Sequence, residues 1–507
     1  MKITDWRTRA LGDSTEVSAD IDGFRLWYRV PRSYPLSRAA DPFVAAALLP
    51  AMLQGQGLEV GPGLTMSPML VGNLGRLQEI NHCWNPVFKI VPIRAATSPA
   101  EPLSRGALAF FSGGVDSSYT FLKRRAELTH LVFVQGFDFF VNAGASGAFS
   151  AADLADLSQL ALKLTRPRDG FSAFLGNALS KETLEALSDY RSSGMVDGSL
   201  ESRLAGELEG ILSGAPVWEI RRFSGAKLRP ETTDLLKSDP AGRDLYRLNR
   251  LLVEDAYPQE IARRDDTIYR TAIGRNDRFA RDFDKTLIAV STNHYAFGYR
   301  YNLSRNLTQG SALAGIALLL GFPRVYLPAA YSYSQLIPLG SHPLTDPLWS
   351  NESVKIVHDG AEARRVDKVM AIAGDARVLA NLRVCFDDMN DNCGRCSKCL
   401  RTMIPLGLLG ASAAPFPSLQ PLGTVKKMRI ANDIEMIFFE ENFDPAMGPA
   451  DRALLRALEA CRRRYERQQL LKAIDKVVFG GFLKKAYRRR AAAAAGIVRI
   501  DTLPPPD

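Results

Sequence analysis

The 507-residue chain predicts an α/β fold: a parallel sheet with helices on both faces, a zinc-binding subdomain, a small N-terminal α+β domain and a helical insertion. Three observations predict it. Short apolar runs alternate with helical stretches on either side of residue 200. Residues 107–122, ALAFFSGGVDSSYTFL, pass from a buried strand through a Gly-rich loop into a helix. Four of the six cysteines fall within residues 385–399.

Residues 1–102 read as the first unit, with strand-like FRLWYRV at 24–30, an apolar helix at 42–53 and strand-like VFKIVPI at 87–93. His82 and Trp84 could face an active site, although burial is the commoner fate of such residues. Thr97, Ser98, Pro99 and Pro102 mark a linker. The core spans 103–147 and 283–410. Its elements are a strand at 107–111, a helix at 117–126, strands at 131–135 and 286–290, a helix at 307–320 and a strand at 324–328. In such a sheet ligands bind at the carboxyl ends of the strands, so Ser112, Gln135 to Asp138 and Ser291 to His294 should meet over one cleft. A crossover needs about a dozen residues, yet about 150 separate Gln135 from Thr286. Residues 148–282, helical and polar apart from PVWEIRRF, are therefore an expected insertion. Its role as a lid, a docking surface or an acceptor platform is open.

The loop Ser112-Gly113-Gly114-Val115-Asp116-Ser117-Ser118 carries the chemistry. Two glycines let main-chain N–H groups converge on an anion, and the following helix start offers unpaired donors and the positive end of its dipole. A Walker loop would need a lysine followed by Ser or Thr, which is absent, so the kinase and GTPase readings lose their support. Asp116 beside a polyphosphate calls for a divalent cation, taken as magnesium, or else caps the helix.

Cys385, Cys393, Cys396 and Cys399 are spaced to surround one tetrahedral ion, with Gly394 allowing the tight turn. Zinc is expected; an iron–sulfur cluster uses the same ligands and is the competitor. A closed site of this kind is architectural. Cys83 and Cys461 read as ordinary thiols.

Composition is that of an ordinary globular protein, with 46% hydrophobic and 23% charged residues. No 18-residue apolar run appears, so no transmembrane segment is expected. The opening MKITDWRTRALGDS lacks an apolar signal region, which makes a cytoplasmic location the expectation. Between Arg462 and Arg490 eleven Lys or Arg face Glu466 and Asp475, a surplus equal to the whole chain's net charge of +9. This C-terminal region, 411–490, could track RNA phosphates or an acidic lipid surface, or be a basic helix packed on the core with solvated charges. Residues 491–507 read as a flexible tail.

The SGGVDS string resembles the signature of the PP-loop ATP pyrophosphatases, whose fold is the adenine nucleotide alpha hydrolase-like sheet. With C-x7-C-x2-C-x2-C downstream, the chain resembles the 7-cyano-7-deazaguanine synthase family of queuosine precursor synthesis. Ser304-Arg305-Asn306 resembles that family's GRN motif. Ser341 to Pro347 lie where the family carries a Tyr-Pro-Asp-Cys segment, which here is rewritten apart from a proline and an aspartate. Arg365 stands in for a family lysine. The resemblance covers about 105–145 and 285–405.

What it implies is cleavage of ATP between the α and β phosphates: an acceptor carboxylate or amide is adenylated, and ammonia or an amine then displaces AMP. Ser112 to Ser118, Gln135 and Gly136 would bind the nucleotide. Asp116, Ser117, Arg305 and Arg365 would act in catalysis, and Asn306, His342 and Asp346 would bind the acceptor. ATP, Mg2+ and Zn2+ are the implied cofactors. A small acid and ammonia are the expected partners, with a homodimer allowed for. Two alternatives stand: a modifier of RNA or a protein terminus, including in antiphage defence, and a non-catalytic nucleotide-binding protein.

Overall fold

The computed structural model describes residues 1–136, 259–299, 301, 303, 305–385, 391–419, 422–426, 428, 430, 433–447 and 451–478, with isolated positions between 180 and 207. The strands are β1 (Lys2–Leu11), β2 (Ser14–Ile21), β3 (Phe24–Pro31), β4 (Leu58–Val60), β5 (Thr65–Met66), β6 (Ile93–Arg94), β7 (Ala96–Thr97), β8 (Ala107–Phe110), β9 (Leu128–Gln135), β10 (Thr286–Thr292), β11 (Arg324–Pro328) and β12 (Lys355–Asp359). The helices are α1 (Asp41–Gln54), α2 (Pro68–Trp84), α3 (Val115–Arg124), α4 (Gln259–Arg281), α5 (His294–Tyr299), α6 (Arg305–Leu320), α7 (Arg365–Ala373), α8 (Ala376–Asn381), α9 (Ser397–Leu408), α10 (Gly423–Lys426), α11 (Asp433–Glu440) and α12 (Arg452–Val478).

The protein is α/β, with a mostly parallel ten-stranded sheet in the order β12-β11-β8-β9-β10-β3-β2-β1-β4-β6. The strands from β12 to β10 are all parallel. Both faces are covered. Ala107, Ala109 and Phe111 pack with Phe121 of α3, Phe279 of α4, Val369 of α7 and Met403 of α9. On the opposite face α1 lies against α6, where Tyr28 Oη donates to Pro42 O (3.2 Å) and a side chain at Gly315 would strike that hydroxyl.

Two expected boundaries move. Residues 1–102 are not a separate accessory domain: β3 pairs antiparallel with β10, Tyr28 opposite Thr292, so β1–β3 continue the core sheet. The junction is locked, because Thr292 Oγ1 donates to Trp27 O and Asn293 Oδ1 accepts from Trp27 N, each at 2.8 Å. The insertion also ends earlier than residue 282. Among the described residues, 1–136, 266–298 and 303–478 form one compact unit, so most of α4 belongs to the core as the crossover into β10. Phe279 stacks on Phe111 at 4.7 Å and 12°, and Phe283 meets Phe121 at 4.9 Å. Polar α4 residues hide this from composition, since only its inner stripe is apolar. PVWEIRRF lies outside the described residues.

In the second unit, positions 181–183 and 185–186 are helical and Glu207 accepts hydrogen bonds from Ser180 N (2.8 Å) and Thr183 Oγ1 (2.7 Å). The expected strand at 87–93 shrinks to β6, because Pro92 has no N–H to give a ladder.

The basic region begins as α12, whose Leu454, Ala457, Leu458 and Cys461 pack on Leu400, Ile404 and Leu408 of α9. Arg462 pairs with Glu440 (3.4 Å) and Arg464 donates to Lys426 O (2.6 Å), so part of the basic run serves local packing. Residues 479–490 lie outside the described residues. Among the described residues no helix is long and apolar enough to cross a membrane.

Candidate functional site

The loop Ser112–Gly114 leaves the carboxyl end of β8, between β11 and β9 in the sheet. Gly113 has φ 76°, closed to most side chains, and a Cβ there would lie 3.3 Å from both Asn276 Oδ1 and Asn381 O. Gly114 is the N-cap of α3 and supplies no side-chain cap. Ser117 Oγ accepts from Ser112 N (3.3 Å) and donates to Gly114 O (3.1 Å), holding the loop from within. Ser118 N donates to Gly114 O (3.0 Å), and Val115 is buried. Gln135, buried at the end of β9, accepts from Ser291 Oγ at 3.1 Å, and Gly136 follows at φ 104°. Phe137 and Asp138 lie outside the described residues.

Asp116 is the centre of the charge. Its carboxylate does not cap α3; it accepts from Arg365 Nη1 (3.0 Å) and Lys368 Nζ (3.2 Å), both on α7 after β12. Burial pushes the carboxyl up, but Arg365 and Lys368 outweigh it and hold it below the ordinary carboxylate range. Lys368 is buried and also donates to Ala329 O at the end of β11. Arg365 Nη2 donates to Thr402 Oγ1 of α9 (3.2 Å). Lys398 and Arg401, also on α9, add positive charge: Lys398 acts on Asp116, and Arg401 sits with its guanidinium 4.7 Å over the Phe438 ring. Burial, then repulsion from Arg365, lowers the pKa of Arg401. The Nε atoms of Arg365 and Arg401 are buried without a partner. Four cations around one aspartate are the electrostatics of an anion site.

The other flank of the loop is built by α4 and α8. Arg383 N donates to Gly113 O (2.9 Å), and Asn381 Nδ2 donates to Asn276 Oδ1 (3.3 Å). Sequence reading missed Lys368, Arg401, Arg275 and Asn276. Lys368 shares the GAEARRVDKV string with Arg365 and lies one helical turn away, the signal that could have found it. Nothing local marks Arg275 or Asn276, which lay inside the expected insertion.

Other expected site residues lie on other elements. Arg305 and Asn306 are exposed on the first turn of α6, and Ser304 lies outside the described residues. His342 and Asp346, expected to bind an acceptor, are buried. Asp346 accepts from Ser341 Oγ (2.7 Å) and His342 N (3.2 Å) and pairs with His358 Nδ1 (2.7 Å). His358 follows Val357 and precedes Asp359, which faces α3 through Arg124 (2.7 Å), so the alternation of β12 sends His358 to the opposite face. The pair is a strut for the 341–349 loop. Trp84 meets the His342 ring edge-on at 4.8 Å, and His82 Nδ1 bonds Phe88 O (2.7 Å), both structural placements.

The four cysteines converge and could hold a zinc ion, their ligand atoms all within 4.8 Å of one another. Cys385 Sγ and Cys396 Sγ are 3.8 Å apart, and Cys393 Sγ and Cys399 Sγ 4.0 Å. Sulfurs about 2.3 Å from one tetrahedral ion stand about 3.8 Å apart, so the cage has the size of a single zinc. Three backbone N–H groups donate to the sulfurs: Cys393 N to Cys385 (3.5 Å), Cys396 N to Cys393 (3.3 Å) and Cys399 N to Cys396 (3.4 Å). Gly394, at φ 70°, is required because a Cβ would lie 2.3 Å from Pro417 Cγ. Cys396 caps α9, so the cage fixes the helix that carries Lys398, Arg401 and Thr402. A side-chain hydrogen bond with Cys396, then burial, raises the Cys399 thiol, which a bound cation would reverse.

No family model, curated protein or solved structure matches the chain.

Proposed function

We propose that the protein is an ATP-dependent adenylating enzyme that activates an acceptor carboxylate or amide for attack by ammonia or an amine. One observation carries the reading: a glycine-bent loop at the carboxyl end of a central parallel strand opens α3 beside Asp116, Arg365, Lys368, Lys398 and Arg401. That combination suits a polyphosphate, which needs backbone donors, a helix N-terminus and surplus cations.

In this reading the Ser112–Ser118 loop cradles the triphosphate, and Gln135 and Gly136 border the nucleoside at the neighbouring strand end. The acceptor oxygen forms a bond to the α phosphorus while the bond to the β phosphate oxygen breaks, its electron pair leaving with pyrophosphate. Arg365 and Lys368 turn from Asp116 toward phosphate oxygens. Asp116 is then the loop carboxylate available to a magnesium ion carried by the nucleotide, which would neutralise part of the phosphate charge. The four-cysteine zinc site holds α9, and with it Arg401, in place.

The experiment is pyrophosphate release from ATP and magnesium with a panel of carboxylates, 7-carboxy-7-deazaguanine among them, against Asp116→Ala. Acceptor-dependent release that disappears in the variant is expected. Wild-type protein that binds ATP and releases nothing with any acceptor would return the reading to a non-catalytic nucleotide-binding protein.

A further inference from the structure

We propose that Arg275 and Asn276, neighbours on α4, hold the terminal phosphates of the nucleotide and the pyrophosphate that leaves. This rests on the adenylation reading and assigns its leaving-group site.

Asn276 is wholly buried against the loop, its Oδ1 3.3 Å from the point where Gly113 would carry a Cβ. That oxygen accepts from Asn381 Nδ2 (3.3 Å), which fixes the amide so that Nδ2 is the donor left over, buried and without a partner. On the preceding residue, Arg275 Nε and Nη2 are also buried without partners. Burial, then the positive charges of Arg383 and Arg278 around it, pull its pKa down to about 10, with Asp391 the carboxylate that opposes them. Arg383 is itself tied to the loop through its N–H on Gly113 O (2.9 Å).

Buried donors without acceptors are unfavourable unless a ligand supplies the partner, and the positive charges of Arg383 and Arg275 close together favour an anionic one. One carboxylate would leave most of these donors unmet. A pyrophosphate group brings several negative charges and many acceptor oxygens, and it is the most highly charged product of the proposed reaction. As the bond between the α phosphorus and the bridging oxygen breaks, charge builds on that oxygen and on the departing group, where donors already fixed in place help most. Sequence about 140 residues downstream of the second core strand thus returns to complete the loop of the first.

The test is calorimetric titration of the full chain with inorganic pyrophosphate in magnesium, and separately with AMP. Arg275→Gln should weaken pyrophosphate binding by about tenfold or more, the worth of a charge-assisted hydrogen bond, and leave AMP binding unchanged. Arg275→Lys should recover part of the loss. Asn276→Asp, nearly isosteric, should weaken pyrophosphate by a similar factor through repulsion, and it decides the matter if Arg275→Gln does not fold. A wild type that releases pyrophosphate from ATP, beside folded variants that bind pyrophosphate as tightly as wild type, overturns this assignment alone. A wild type that binds neither ATP nor pyrophosphate overturns both readings.

Discussion

Lys368 Nζ stands 3.2 Å from Asp116 Oδ1 across 252 residues of sequence, with the lysine side chain only 1% exposed. An ammonium so far from water needs a fixed anion, and Asp116 with Ala329 O supplies it. The contact exists because β11 alone separates β8 from β12, which sets the first turns of α3 and α7 side by side at one end of the sheet.

Replacing that lysine tests the arrangement. Lys368→Met should cost about 1–3 kcal/mol in a urea titration, the lower range because the Asp116 side chain is 30% exposed and Arg365 stays with it. Pyrophosphate release should fall by about a hundredfold, the scale seen when one charge-stabilising donor is lost. A variant with full activity would exclude Lys368 from phosphate contact.

His294 makes stability depend on pH. Its ring is buried with Nδ1 unpartnered, and burial pulls its pKa down to about 3. The unfolded chain binds this proton near pH 6.5 and the folded one does not, so stability is full above that value and falls as pH drops toward 3. One such group accounts for about 2 kcal/mol between pH 6.5 and 5. Urea midpoints measured across that range should flatten in His294→Leu by this amount. Asp116, held low by its cations, adds nothing here: its contribution is present above about pH 4 and disappears only in stronger acid.

The four-cysteine cage, which could hold a zinc ion, predicts one zinc per chain by elemental mass spectrometry, with no visible iron absorption. Cys393→Ser should lose the ion and loosen α9, at a cost on the order of 10 kcal/mol to the local fold. Gly394→Ala, which drives a methyl into Pro417, should lower zinc occupancy without removing a ligand. A stoichiometric four-iron cluster would contradict the single-ion cage.

Phe279 tests whether α4 is core. It stacks on Phe111 and meets Phe121 at 4.9 Å, so Phe279→Ala should destabilise the protein by about 3–4 kcal/mol. A loss under about 1 kcal/mol would mean that the helix is an appendage.

The elements carrying local signals were readable. Expected 324–328 is β11 to the residue, and 307–320 lies within α6, because apolar runs bounded by Gly and Pro record burial directly. The loop and the cysteine cage were legible for a related reason: their residue types must recur at fixed short spacing for the backbone to bend and for four sulfurs to meet. His342 and Asp346 misled because a polar cluster in a rewritten loop looks the same in sequence whether it faces a ligand or braces a turn. Their burial beneath β12 is a property of which face His358 takes.

By itself, then, the sequence determined a strand, a glycine-bent loop and a helix at 107–124, a four-cysteine cluster at 385–399, and an α/β core between them. Tertiary structure decided what surrounds the loop. It joined β3 to β10 to make one ten-stranded sheet, brought Lys368 and Arg365 to Asp116, and turned the end of an apparent insertion into the wall beside Gly113. Hydrophobic periodicity reports only which side of a segment is buried. The partner across hundreds of residues is chosen by strand order and by the pairing of buried charges, which no local window contains.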